Sequence, residues 1–166
     1  MTTTPVTATV PIPQRLDVDS LAPTFSSALE ALDNAATAEA DRAGLDHRLR
    51  ELVRLRASQL NGCAYCVDLH SRAARSAGAP SQQVDAVAVW HESELFTSDE
   101  RVALELAEQV TLMATTKVPR EYVDAAVTAF GPDGACALIA LLVAINAWNA
   151  VGVTARPWPV TVRTRD

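Results

Sequence analysis

The chain has 166 residues, enough for one domain with a core of its own and too few for two comfortable ones. Almost half of it is apolar (49%) and only 20% is charged, which excludes general disorder. A formal net charge of −6 argues against nucleic acid as a partner, because phosphate binding needs clustered Lys and Arg.

Ala, Leu and Val dominate the apolar share, a mixture that favours packed helices over sheets. Residues 1–20, rich in Thr, Pro and Val, predict an extended arm, and residues 21–166 one all-helical domain. Met1 to Val10 hold no positive charge and no sustained apolar run, so they do not read as a secretory signal. From Leu21 the text turns helical: Leu21, Phe25, Ala28, Leu29, Leu32, Ala35 and Ala36 recur at spacings of three and four and predict one inward stripe, ended by Gly44. A second helix starts at Asp46, a suitable N-cap, and runs to Leu60. Asn61-Gly62 then breaks the chain, since both residues tolerate positive φ.

A third helix runs from about Cys63 to Gly78, with Pro80 close behind. Ser81 or a neighbour opens a fourth, carrying Val84, Val87, Ala88 and Trp90. Thr97-Ser98-Asp99-Glu100 fits a capping box that launches a fifth through Met113. Pro119 opens a sixth, closed by Gly131-Pro132. The last, Ala135 to Val153, is apolar for most of its length, but Asn146 and Asn149 interrupt it and no Lys or Arg flanks its start. It predicts a buried core or interface helix rather than a membrane span. No run alternates strictly with a period of two, so the expected class is all-α. The chain reads as cytoplasmic, where reduced thiols make a close Cys pair better suited to catalysis or metal binding than to a structural bridge.

The chemistry concentrates in the third helix. Cys63, Cys66 and His70 stand at i, i+3 and i+7, one face of a helix. Two sulfurs at that spacing come within disulfide range, and the first turn of a helix favours a thiolate. His70, one turn past Cys66, is placed to take the thiol proton. Glu51 lies about 15 Å up the second helix from Asn61 and His70 about 12 Å down the third, at 1.5 Å per residue. If Asn61-Gly62 folds the two into an antiparallel hairpin, Glu51 and His70 come out level, and a carboxylate there fixes the imidazole's tautomer. Asp68 falls off this face and reads as solvated.

Glu51, Cys63, Cys66 and His70, in the order E-x11-C-x2-C-x3-H, resemble the core motif of the alkylhydroperoxidase D / carboxymuconolactone decarboxylase family. The run from Leu55 to Cys63 resembles it too, as does Trp90-His91-Glu92-Ser93 followed by Phe96-Thr97 and Glu100-Arg101. The resemblance implies an AhpD-like helical fold, assembly into dimers, trimers or hexamers, and reduction of hydroperoxides with a dithiol reductant or redox partner protein. It implies that Cys66 attacks the peroxide, that Cys63 resolves the sulfenic acid, and that Glu51 and His70 relay protons, with no cofactor or metal. Relatives that decarboxylate a muconolactone generally lack the Cys pair. The best-studied peroxidase pattern has a histidine before its second cysteine, where this chain has Tyr65, a weaker proton shuttle near neutral pH.

Other readings of the same residues stay open. The cysteines and His70 suit a zinc-holding or redox-sensing module, with His91 or Cys136 as a fourth ligand. Cys136 reads most simply as a core residue, His91 as complementing a helix dipole, and Trp90 and Trp148 as core or pocket wall. Asn146 and Asn149 need partners, across a subunit interface or in a pocket. A homo-oligomer is expected, because short helices from a chain this size leave Ala/Leu/Val surface uncovered, with Ala135–Val153 the leading contributor.

Overall fold

The computed structural model describes residues 9–161. Among them there is no strand: α1 (Val18–Leu21), α2 (Pro23–Arg42), α3 (His47–Asn61), α4 (Ala64–Ser76), α5 (Ser81–Ala86), a 3₁₀ helix (Val87–Glu92), α6 (Ser98–Thr111), α7 (Met113–Thr116) and α8 (Arg120–Ala155) follow in order. The all-α expectation holds. Residues 1–8 of the expected arm lie outside the described residues, and residues 9–17 run without helix. The arm is tied to the other end of the chain, because the backbone N–H groups of Arg15 and Leu16 both donate to the Ala155 carbonyl at 3.0 Å.

Local signals set most of the boundaries. The Asp46 side chain accepts from the Leu49 N–H and starts α3. Thr97 and Glu100 form the full reciprocal capping box at the head of α6. Gly131, at φ 71° and ψ 170°, breaks the helical run just before Pro132, so α8 is two helices joined at a kink, with the boundary where the sequence expects it. Arg50 is buried, and its guanidinium donates to the Leu45 and Ala40 carbonyls and pairs with Asp41. In this way α3 satisfies the open C-terminal end of α2.

The core lies around α8. Its face of Leu138, Leu141, Leu142 and Ile145 is fully buried against α2, α3 and α6, as expected for a core helix. The same helix is long and apolar enough to cross a membrane by length and composition. The expectation for Cys136 is overturned: it is exposed, one position from buried Ala135 and Ala137. Helical periodicity puts it on the outer face with Val143, seven residues on, which is 47% exposed.

The stripe expected on α2 also divides. Leu29, Ala36 and Ala40 face the core, while Leu21, Phe25, Ala28, Leu32 and Ala35 are exposed in the single chain. Two interleaved apolar faces share this helix, and spacings of three and four do not separate them. The fourth expected helix splits into α5 and the 3₁₀ helix. Val84, Val87 and Trp90 are spaced by three, so a three-residue turn places all of them inward and leaves Ala88 outside.

The Asn61-Gly62 break closes the α3–α4 hairpin. Gly62 stands at φ 72°, ψ 28°, and the N–H groups of Gly62 and Cys63 return to the carbonyls of Gln59 and Ser58. A Cβ on Gly62 would meet nothing within 4 Å, so a substitution there tests backbone conformation alone. Gly62→Ala is expected to destabilise the fold by about 1–2 kcal/mol, the cost of a left-handed L-residue. A denaturant titration should show a lower midpoint with an unchanged slope.

Candidate functional site

The hairpin places the four residues singled out from the sequence. Glu51 lies on the second turn of α3, Cys63 caps the N-terminus of α4, and Cys66 and His70 follow on α4. A disulfide joins Cys63 and Cys66, with Cα atoms 5.3 Å apart. The Cys63 sulfur accepts the Cys66 N–H at 3.3 Å and so serves as the helix cap where Ser or Asp is more usual. Both cysteines are buried.

Across the hairpin, Nδ1 of His70 lies 2.7 Å from Oε2 of Glu51. A carboxylate only accepts, so Nδ1 carries the hydrogen, and a neutral ring keeps its lone pair on Nε2. The other Glu51 oxygen accepts from Arg54 at 3.0 Å. Arg54 itself is nearly buried and also reaches Asp33, at 3.3 Å, and Thr37, at 2.9 Å, on α2. Burial pushes the Glu51 carboxyl up, but the hydrogen bond and charge of His70, with the Arg54 guanidinium, outweigh it and hold the group below the ordinary carboxylate range. Glu51 is therefore an anion at neutral pH.

A cavity of about 500 Å³ opens beside the pair. Cys66 and His70 line it and Cys63 does not. Tyr65, Leu69, Ile145 and Trp148 continue the wall on α4 and α8, and α1 and α2 supply Asp19, Glu30 and Asp33. Trp158, from the segment after α8, completes it, with its ring 5.2 Å from Tyr65 and 5.4 Å from Trp148. The Trp158 indole N–H donates to Asp19 at 2.9 Å, and the Ser26 hydroxyl donates to the same carboxylate. Trp148 is thus pocket wall.

The remaining candidates sit elsewhere. Trp90 is core, donating to Glu108 at 2.7 Å. His91 stacks on the Trp90 ring and approaches Glu108, and Cys136 faces outward on α8, so neither joins the Cys pair as a ligand. Among the described residues no three His, Cys, Asp or Glu side chains form a cluster able to hold a metal. Asp68 is half-buried and accepts from Arg72 on the next turn. Asn146 and Asn149 find their partners within the chain. Asn61 donates to both, Asn149 donates to Ser58, and Asn146 donates to Thr111 and to the Leu142 carbonyl. This network fixes α8 to the hairpin corner.

Gly152, on the last turn of α8, was not visible as a site residue from the sequence. A Cβ there would lie 2.7 Å from the Cys63 sulfur and 3.7 Å from that of Cys66. The disulfide fits against α8 because this position has no side chain. Gly152→Ala should lower stability by about 1–3 kcal/mol through overpacking. The loss should show in the thermal midpoint of the oxidised protein; an unchanged midpoint would mean that the corner yields freely.

Comparison with known proteins bears on the family and the fold. The family model for the carboxymuconolactone decarboxylase family matches residues 23–109. The uncharacterized protein YdfG of Bacillus subtilis (strain 168) is 31% identical over 112 residues, 68% of this chain and 76% of its own. The uncharacterized protein YnjA of Escherichia coli (strain K12) is 38% identical over 78 residues, 47% of this chain and 43% of its own. Among solved structures, a protein of unknown function from Agrobacterium tumefaciens, provisionally designated the antioxidant defence protein AhpD, superposes with a TM-score of 0.83. It is 31% identical, and the match covers 90% of this chain and all of that one. With an all-helical AhpD-like fold and a Cys63–Cys66 pair at its centre, the chain belongs to the carboxymuconolactone decarboxylase family.

Proposed function

We propose that the chain is a thiol-dependent hydroperoxide reductase with Cys66 as the attacking sulfur. The observation that carries this reading is the asymmetry of the pair: Cys66 lines the cavity with His70, while Cys63 is buried behind it against Gly152. A substrate in the cavity reaches one sulfur only. The designation of the Agrobacterium tumefaciens protein supports the same chemistry.

With the disulfide reduced, His70 takes the Cys66 proton and Glu51 stabilises the imidazolium that results. The thiolate attacks the terminal peroxide oxygen: the S–O bond forms, the O–O bond breaks, and the leaving alkoxide takes the proton back from His70 to become an alcohol. Cys63 then attacks the sulfenic sulfur, the S–S bond forms, and hydroxide departs as water with the Cys63 proton. One hydroperoxide and two thiols give one alcohol, one water and the disulfide, and an external dithiol returns the pair to its reduced state. A redox sensor needs none of the open cavity beside Cys66, which a turnover enzyme uses to hold its substrate.

The two cysteines can be told apart directly. Cys66→Ser should not react with hydroperoxide at all. Cys63→Ser should consume one equivalent and stop at a sulfenic acid on Cys66 that dimedone traps. Mass spectrometry after a single peroxide addition reads both, and a dimedone adduct on Cys63 in the Cys66→Ser protein would reverse the assignment.

A further inference from the structure

The cavity beside Cys66 has two unlike walls. One is aromatic and apolar: Tyr65, Trp148 and Trp158, joined by Leu69 and Ile145. The other, from α1 and α2, carries three carboxylates, Asp19, Glu30 and Asp33. Among the described residues no Lys or Arg lines the cavity. The cation nearest in the hydrogen-bond network is Arg54, which is shared between Asp33 and Glu51 and so offsets one of those two charges. Asp19 is held by neutral donors, the Trp158 indole and the Ser26 hydroxyl, rather than by a cation. Glu30 is exposed, and no ion pair engages it among the described residues. Among the described residues, a ligand in this cavity therefore sits between aromatic faces and a wall of net negative charge.

We infer that the site selects its substrate by charge: it takes organic hydroperoxides with an aromatic or branched apolar body that are neutral or cationic, and disfavours those that carry a carboxylate. This rests on the hydroperoxide reductase reading and adds a substrate class to it. A like-signed field lowers the local concentration of an anionic substrate and raises that of a cationic one. The negative faces of the tryptophan and tyrosine rings act in the same direction. Proton transfer from Cys66 to His70 makes a thiolate–imidazolium pair with no net charge, so the sign of the field is left to the α1 and α2 carboxylates. Tyr65, which stands where the best-studied peroxidase pattern has histidine, here contributes a ring to the aromatic wall.

The test uses cumene hydroperoxides with a para methyl, trimethylammonium or carboxylate group. Each reacts with the reduced protein in a single turnover at low ionic strength, and rates are normalised to each probe's reaction with a free dithiol. The carboxylate should react about tenfold more slowly than the methyl compound, the scale of a few like charges screened by solvent, and the ammonium at least as fast. High salt should narrow the gap, and so should Glu30→Lys. A carboxylate as fast as the neutral probe, or a gap that neither salt nor Glu30→Lys moves, overturns the inference. If none of the three oxidises Cys66, it is the reductase reading that fails. Charge selection is then read from binding of the corresponding alcohols, followed by tryptophan fluorescence: weaker binding of the carboxylate alcohol sustains it, and equal binding overturns it.

Discussion

The hydrogen bond between Glu51 and His70 spans the two arms of one helical hairpin, and most of the site depends on the register that permits it. Nineteen residues separate the two in sequence, and a one-residue slip of either helix would rotate one partner away by about 100°. The left-handed corner at Gly62 sets that register, and the asparagine network locks it from a third direction. Asn149 is completely buried, and its amide is satisfied only while Ser58 and Asn61 keep their places. Losing either partner would leave a polar group orphaned in the core, at about 1–3 kcal/mol. The same contact holds the last turns of α8 over the sulfurs, where Gly152 leaves them room.

Cys63 and Cys66 are chemically identical residues three positions apart, and the fold makes them different. Cys63 closes the first turn of α4 and is hidden behind α8. Cys66 sits three positions, about one helical turn, further along the buried face, at the wall of a cavity that also receives His70. The chain ends supply what the hairpin lacks. Arg15 and Leu16 bind the end of α8, and Asp19 holds Trp158, so the two terminal segments close the cavity on one side together. Residues remote in sequence from the cysteines therefore complete the cavity beside Cys66.

The parts of this arrangement that were legible in the sequence are those governed by local rules. The Asp46 and Thr97 caps, the Asn61-Gly62 corner and the level placement of Glu51 with His70 follow from capping chemistry, glycine's freedom and helical rise. The parts that were not legible depend on contacts between distant segments. Trp158 meets Asp19 across 139 positions, and nothing in the spacing of either announces the other. Gly152 matters only because a sulfur approaches it, and Cys136 is exposed because α8 turns its outer face where composition alone suggests a core. Arg54 stands three residues after Glu51, a spacing that signals a helix pair, but its link to Asp33 on α2 needed the fold. On α2, two apolar faces share one helix, and periodicity could not say which of them meets α8.

The central claim is that Glu51 acts through His70 on Cys66, and its most direct measurement is the single-turnover rate of Cys66 oxidation in Glu51→Gln across pH. Glutamine keeps the shape and can still hydrogen-bond, but it cannot stabilise an imidazolium by charge. With the fold intact by circular dichroism, the rate near neutral pH should fall about 10²-fold, the scale of losing general-base assistance, and should recover as rising pH ionises the thiol without help. A rate unchanged from the native protein over the whole pH range would contradict the account and leave Glu51 as a helix residue that merely sits in register.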